Sequence, residues 1–162
     1  MNKLVLLVLV LVFCSGLIYA QNNNTSNIVI NYTVQDVVNI KINEPSRDLD
    51  LRFGGVGSSI YEAREINATY NIAVNSTRPK RLMANINQNM PNNINLELRA
   101  TPPQGSNSLG YVPLTTMPQT LVSGINNVNQ NNLLLNFRLS ATLGAPATPT
   151  PQTRIVTLTI SD

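Results

Sequence analysis

The sequence predicts an all-β protein, and three features of the chain support that class. Apolar and polar residues alternate over many short segments, which is the pattern of strands with one buried face. No window of helical length shows a 3.6-residue apolar period. The segments are separated by connections rich in Asn, Pro and Gly, the residues that favour turns.

The alternating segments follow one another from residue 28 onward and predict about eight short strands. The first two segments adjoin at Gln35 and Asp36, where a bulge or corner would separate them. The last segment puts Val156, Leu158 and Ile160 on one face. The segments cover residues 28–34, 37–43, 49–53, 66–75, 81–87, 94–100, 120–125, 133–143 and 153–162.

The number of strands and the connections between them predict an antiparallel, immunoglobulin-like (Greek-key) β-sandwich. A closed barrel is the alternative. The long, Pro-rich connections at residues 101–118 and 144–152 favour the sandwich. Such lengths suit crossovers between two sheets better than the tight hairpins of an up-and-down barrel.

The N-terminus has the pattern of a secretory signal peptide. Lys3 precedes an apolar run, and small and aromatic residues follow it as far as Ala20, before an abrupt change to polar chain. One alternative is an uncleaved membrane anchor, because the apolar stretch approaches the roughly 20 residues of a membrane span. Another is lipidation at Cys14, but the preceding Phe13 is bulky for such a signal. Cleavage after Ala20 predicts a secreted or cell-surface protein with no stable membrane insertion.

Cleavage of residues 1–20 would leave a length that suits one domain with a single core. Residues 21–27 are then a flexible polar leader, and residues 28–162 are a single sandwich domain. Cys14 is the only cysteine. The processed chain would therefore have no disulfide and would depend on its core and its sheets for stability.

The composition excludes most enzyme chemistry. The chain has no His, and its one Cys lies in the signal segment. Sites built from Ser-His-Asp, Cys-His or His-bound metal are therefore excluded. Charged residues make up 12% of the chain and the net charge is +3, which predicts no nucleic-acid partner. We expect a protein that is not an enzyme, with no catalytic residues, no cofactor and no metal.

Two groups of carboxylates are candidate exceptions to that expectation. Glu44, Asp48 and Asp50 would supply oxygen ligands for calcium, but an arginine lies among them, which favours a solvated loop with local ion pairs. Glu62 and Glu65 would form an acid pair like that of a glycosidase. An arginine also separates these two, and the chain offers few aromatic residues to hold a sugar.

Three further motifs have a functional and a structural interpretation. The basic cluster Arg78–Arg81 would be a processing site or a contact for an acidic polymer, but a solvated loop tip is favoured. The glycine-rich stretch Phe53–Ser59 lacks the lysine and the helix of a phosphate loop and is interpreted as a connection. Candidate acceptors for N-glycosylation are Asn23, Asn24, Asn31, Asn67 and Asn75.

Five stretches of the chain carry a resemblance to a known group of proteins: YNIAVNS, MPNNINLEL, PQTLVSGI, LNFRLSATL and TRIVTLTISD. In this order they resemble small exported immunoglobulin-like sandwich domains of prokaryotic surface fibres, which include pilin-like subunits and spore-coat or biofilm-matrix proteins. The resemblance covers residues 28–162. It implies a structural role in which subunits join by strand addition. The chain departs from the disulfide-bearing pilins in having no cysteine after processing.

Residues 28–34 are the predicted assembly strand. They are uncharged, follow the polar leader and place Ile28, Ile30, Tyr32 and Val34 on one face. The segment would complete the sheet of a neighbour, and repetition of this contact would give an open fibre. The alternative is that it pairs within its own domain. Because the final strand runs to the end of the sequence, we expect attachment through this segment, a loop or a sheet edge.

The sequence therefore predicts a secreted, non-enzymatic structural subunit of a cell-surface or extracellular fibre. It would self-associate into a homopolymer or join other extracellular proteins. The alternative function is a monomeric binding module or adhesin that presents its loops to a carbohydrate or a protein.

Overall fold

A computed structural model describes residues 28–44, 48–49, 51, 60–147 and 150–162, without the side chains of residues 60–63. The regular elements in these ranges are all β-strands, and the same ranges contain no helix. The predicted all-β class is therefore confirmed. The signal segment, the leader and the glycine-rich stretch lie outside the described residues.

Nine strands lie in the described part of the chain. They form two antiparallel sheets, one in the order β1-β2-β8-β4-β6 and the other in the order β5-β7-β3-β9. In chain order they are β1 (Val37–Ile42), β2 (Ile60–Asn75), β3 (Lys80–Ile86), β4 (Ile94–Ala100), β5 (Asn107–Ser108), β6 (Val112–Pro113), β7 (Gln119–Ile125), β8 (Val128–Thr142) and β9 (Val156–Ser161).

The chain divides into two compact units, Met1–Thr33 and Val34–Asp162. All nine strands belong to the second unit. The described residues of the first unit, 28–33, have no regular secondary structure. The strand predicted over residues 28–34 is thus not observed, since these described residues have no strand assignment.

The connectivity alternates between the two sheets. β1 and β2 are neighbours in one sheet, and from β2 onward each strand lies in the sheet opposite to its predecessor. An immunoglobulin domain instead keeps several consecutive strands in the same sheet. The antiparallel two-sheet arrangement agrees with the sequence prediction, whereas the immunoglobulin-like connectivity is not confirmed.

The core is formed by the inward faces of the longer strands of both sheets. Alternate residues of a strand point to opposite faces, so one face of each strand is buried against the other sheet. Phe137 and Leu139 of β8 lie on the predicted core face but are only half-buried. The largest fully buried side chains are Tyr70, Ile72, Leu82, Ile86, Leu98, Leu121, Ile125 and Leu135.

A bulge explains why the sequence pattern starts β8 too late. Tyr70 pairs with Leu133 and Ile72 pairs with Gln130, so two residues of β8 lie opposite Asn71. The backbone N–H of Asn132 donates to Asn71 Oδ1 at 2.9 Å. The extra residue reverses the alternation between inward and outward side chains. The apolar pattern from Leu133 onward is therefore out of phase with the start of β8, and the sequence prediction begins the strand too late.

Left-handed backbone falls on asparagine and glycine. Among the described residues the non-glycine positions with positive φ are Asn93, Asn127 and Asn132, with φ of 65°, 45° and 57°. Asn tolerates this region because its side chain bonds locally to the backbone. Gly124, with φ of 77°, lies in β7 where the pairing with β3 shifts register. A side chain there would be strained, so glycine permits the irregularity.

Two other predictions about strands need correction. Leu49 and Leu51 lie in no strand, although Leu49 packs against the core, and residues 50, 52 and 53 of this predicted strand lie outside the described residues. The predicted crossover at residues 101–118 contains two short strands, β5 and β6, which each extend a sheet by two residues. Neither short strand has an alternating apolar pattern long enough to be visible in sequence.

Candidate assembly interface

The segment of residues 28–34 exposes a row of large apolar side chains. Ile28, Ile30, Tyr32 and Val34 are exposed to 86%, 77%, 85% and 67% of their surfaces. The segment carries no charge and has no regular secondary structure. Among the described residues, no backbone hydrogen bond of this segment is observed.

The two sheets have four edge strands, which are β1 and β6 in one sheet and β5 and β9 in the other. Exposed edges invite pairing with other chains, and proteins commonly protect them by short strands, charges or proline. β5 and β6 are two residues long, and β6 ends at Pro113. β1 and β9 are each six residues long. Of these four strands, β1 and β9 are the long ones, and among the described strands β2 also lacks a neighbour on the β1 side from Ile60 to Thr69, because β1 pairs only with Tyr70–Asn75.

β1 and β9 belong to different sheets but approach each other, with some Cα atoms within 8 Å. Their apolar side chains are incompletely covered. Val38 is 45% exposed, and Ile40, Leu158 and Ile160 are half-buried against the core. This side of the sandwich therefore presents an apolar surface next to two open backbone edges.

The basic cluster Arg78–Arg81 contacts the end of β9. Lys80 forms an ion pair with the carboxylate of Asp162, and Arg81 Nε donates to the backbone oxygen of Asp162 at 3.0 Å. The hydrogen bond and charge of Lys80 lower the pKa of Asp162 below its ordinary value. Two of the four residues thus hold β9 to β3, while Arg78 and Pro79 are exposed.

The first carboxylate group does not gather into a metal site in the described residues. Glu44 Oε2 accepts from the backbone N–H of Thr69 at 2.8 Å and from the Thr69 hydroxyl at 3.3 Å. Asp48 is exposed, and Asp50 lies outside the described residues. No three carboxylate, His or Cys side chains come together within the described ranges. Glu44 instead extends the contact between the end of β1 and β2.

The second carboxylate pair is represented by Glu65, since the side chain of Glu62 is outside the described set. Glu65 Oε1 accepts from the hydroxyl of Tyr111 at 3.0 Å. Burial is the main cause that raises the pKa of Tyr111, and the hydrogen bond to Glu65 raises it further. Glu65 is therefore part of a polar network on the outer face of the larger sheet.

That network was not visible in the sequence. Arg99 and Arg138 place their guanidinium carbons 4.8 Å and 4.1 Å from the centre of the Tyr111 ring. Arg138 Nε also donates to Glu97 Oε2 at 2.7 Å. The outward position of these charges in their strands is the only signal the sequence contained. Each group has a partner in the same sheet, so the network links β2, β8, β4 and the β6 region.

The candidate glycosylation sites have different surroundings. Asn67 Oδ1 accepts from Asn136 Nδ2 at 2.6 Å across β2 and β8. Asn75 is exposed at the end of β2, and Asn31 is exposed in the segment without regular structure. Asn23 and Asn24 lie outside the described residues. All three described asparagines are exposed, and Asn67 differs in that its side chain is hydrogen-bonded to Asn136.

Comparisons with known proteins found no relative. No family model matches the chain, and no curated protein or solved structure matches it at a significant level. In the described part of the chain, no helix has the length and apolar character needed to cross a membrane.

Proposed function

We propose that the protein is a secreted structural subunit of a cell-surface or extracellular fibre. Residues 28–34 of one subunit join it to the next by adding a strand to the neighbour's sheet. The observation that carries this proposal is the exposed, uncharged row Ile28, Ile30, Tyr32 and Val34 outside any strand of its own chain. Contiguous exposed apolar surface of this kind marks an interaction site.

The energy of this contact would come from burial of the apolar row. Burial of an apolar side chain stabilises by about 1.5–3 kcal/mol before ordering costs are subtracted. Four such side chains would be buried together, and main-chain hydrogen bonds to a sheet edge would add to them. Head-to-tail repetition of this heterologous contact gives an open fibre.

The N-terminal region supports export of the subunit. The apolar run after Lys3 and the polar switch after Ala20 have the order of a cleaved signal. The resemblance of the five strand segments to small exported sandwich domains of prokaryotic surface fibres supports the same role. Intact-mass measurement of the secreted protein tests the first point, with residues 1–20 expected to be absent.

The function is tested by deletion and by charge substitution in the full chain. Removal of residues 21–34 is expected to abolish polymers in size-exclusion chromatography and negative-stain microscopy. The double variant Ile30→Lys with Tyr32→Lys is expected to do the same, because it puts charge on the row that is buried in the contact.

The matched control is Asn31→Lys with Thr33→Lys, which places the same charges on the opposite face of the segment. It is expected to leave polymers intact. A wild-type protein that stays monomeric at high concentration would contradict the proposal and favour a binding module. Polymers formed by the truncated chain would also contradict it.

A further inference from the structure

We propose that the open edge of β9 is the surface that receives residues 28–34 of a second copy of this chain. This inference rests on the proposed function and names the acceptor within it. The incoming segment becomes a fifth strand of the sheet β5-β7-β3-β9, next to β9.

The first argument is a comparison of β1 and β9, the two six-residue strands that end the sheets. The part of β2 that β1 does not cover carries exposed charges, Arg64 and Glu65 among them, which disfavour pairing there. β1 carries Lys41, an exposed charge of the kind that protects edges from unwanted pairing. β9 has the sequence VTLTIS, with no charge and no proline. β9 is therefore the long edge that its own side chains leave unprotected.

The second argument is the direction of the backbone groups of β9. Asn87 donates its backbone N–H to the oxygen of Ile155 at 3.1 Å, so Ile155 belongs to a hydrogen-bonded pair with β3. In an antiparallel ladder such pairs alternate with pairs whose backbone N–H and C=O groups point away from the partner strand. Val156, Leu158 and Ile160 therefore direct their N–H and C=O groups to the open edge. No described strand lies there to pair with them.

The third argument is that the opposite side of β9 is held firmly. Ile155 also donates its N–H to Asn87 Oδ1 at 2.9 Å, at the start of the strand. Arg81 and Lys80 bind Asp162 just after the end of the strand. A strand tied to β3 at both ends is a preorganised template, which lowers the ordering cost of adding another strand.

The fourth argument is the match between the two segments. Residues 28–34 are uncharged and alternate apolar side chains, and β9 is six residues long with its own apolar row only half-buried. A strand added beside β9 continues the pleat, so its apolar row would face the same side as Val156, Leu158 and Ile160. Both rows would become buried by the one contact.

The test uses a pair of matched proline variants in the full chain. Val156→Pro removes an N–H that points to the open edge of β9 and places a ring there, without removing a hydrogen bond to β3. Val38→Pro does the same at β1. Asn43 donates its backbone N–H to Thr69, so every second residue back from Asn43 is hydrogen-bonded to β2, and the backbone N–H of Val38, which lies between two of these residues, points to the open edge. We expect Val156→Pro to abolish polymers and Val38→Pro to retain them.

A second pair of variants tests the same assignment in case a proline variant does not fold. Thr157→Lys with Thr159→Lys puts two charges on exposed positions of β9, and Asn39→Lys gives β1 the same number together with Lys41. Only the β9 variant is expected to block assembly. Hydrogen exchange adds a direct measure: the amides of Val156, Leu158 and Ile160 should exchange at least about tenfold more slowly in polymers than in the truncated monomer.

The outcomes separate this inference from the proposed function. Polymers that persist in both β9 variants, with unchanged amide exchange in β9, would overturn the β9 assignment and leave the fibre proposal standing. Loss of polymers in the β1 variants alone would assign the acceptor to β1 instead. A wild-type chain that never polymerises would overturn the function and the acceptor together.

Discussion

The two sides of the sandwich bury the same kind of strand pattern to very different extents. Leu98 of β4, Leu121 of β7 and Ile125 of β7 are fully buried, at 0% exposure. On the other side, Leu158 of β9 is half-buried and Val38 of β1 is 45% exposed. All five are apolar residues in strands that face the core.

The difference teaches that alternation specifies which face of a strand is apolar but not how well that face is covered. A strand in the middle of a sheet has neighbours on both sides and a second sheet opposite. An edge strand lacks one neighbour, so its inward side chains keep a path to water. Among the edge strands, β1 and β9 are six residues long, so the missing neighbour leaves a longer apolar row partly uncovered there.

The largest expected effect comes from truncation on the well-covered side. Leu98→Ala should lower the free energy of unfolding by about 2–5 kcal/mol, because a fully buried leucine leaves a cavity. Leu158→Ala should cost less than about 2 kcal/mol in the monomer, since water already reaches that side chain. Urea denaturation of both variants in the truncated monomer gives the comparison. Equal losses would show that the two sides are covered alike.

An intermediate effect is expected at Tyr70, which lies at the centre of the core. Its hydroxyl donates to the backbone oxygen of Thr101 at 2.6 Å, and burial raises its pKa well above the ordinary value. Tyr70→Phe should lower the free energy of unfolding by about 0.5–2 kcal/mol through the lost hydrogen bond.

The pH dependence gives the sign of the Tyr70 contribution. A raised pKa in the folded state means that the unfolded state releases the phenol proton first, so stability is complete below about pH 10 and falls as the pH rises above it. The stability of the Tyr70→Phe variant should fall less steeply than that of the wild-type protein over that alkaline range. Thermal unfolding from pH 8 to 11 measures the difference, and parallel curves would rule out Tyr70 as a cause.

The smallest effect is expected at the exposed contact that closes β9. Lys80 lowers the pKa of Asp162, so this contact stabilises the fold above the unfolded pKa of the carboxyl and is lost as the pH falls below it. Asp162→Asn should reduce the melting temperature slightly at neutral pH, and the reduction should shrink as the pH falls below the ordinary pKa of the carboxyl toward its lowered folded-state pKa. Asp48→Asn, at another exposed carboxylate, is the control. An equal effect of both variants would show that the ion pair between Lys80 and Asp162 makes no specific contribution to stability.

Much of the strand content was predictable because the signal is local. The segments at residues 66–75, 94–100 and 120–125 fall within β2, β4 and β7. The bulged portions of β2 and β8 were missed because an extra residue reverses the alternation on which the prediction depends. The candidate assembly segment was visible as an uncharged apolar row, but the Tyr111 network was not, since its members come from separate strands.

By itself, the sequence determined the all-β class, the apolar face of most strands and the use of asparagine at left-handed turns, because each depends on near neighbours along the chain. Only the tertiary structure decided the strand order, the identity of the four edges and the incomplete burial of β1 and β9. These properties depend on which distant strands pair, and the pairing energy is a sum over the whole sheet. For that reason residues 28–34 and β9 look alike in the sequence, while in the fold one is an unpaired segment and the other an anchored edge.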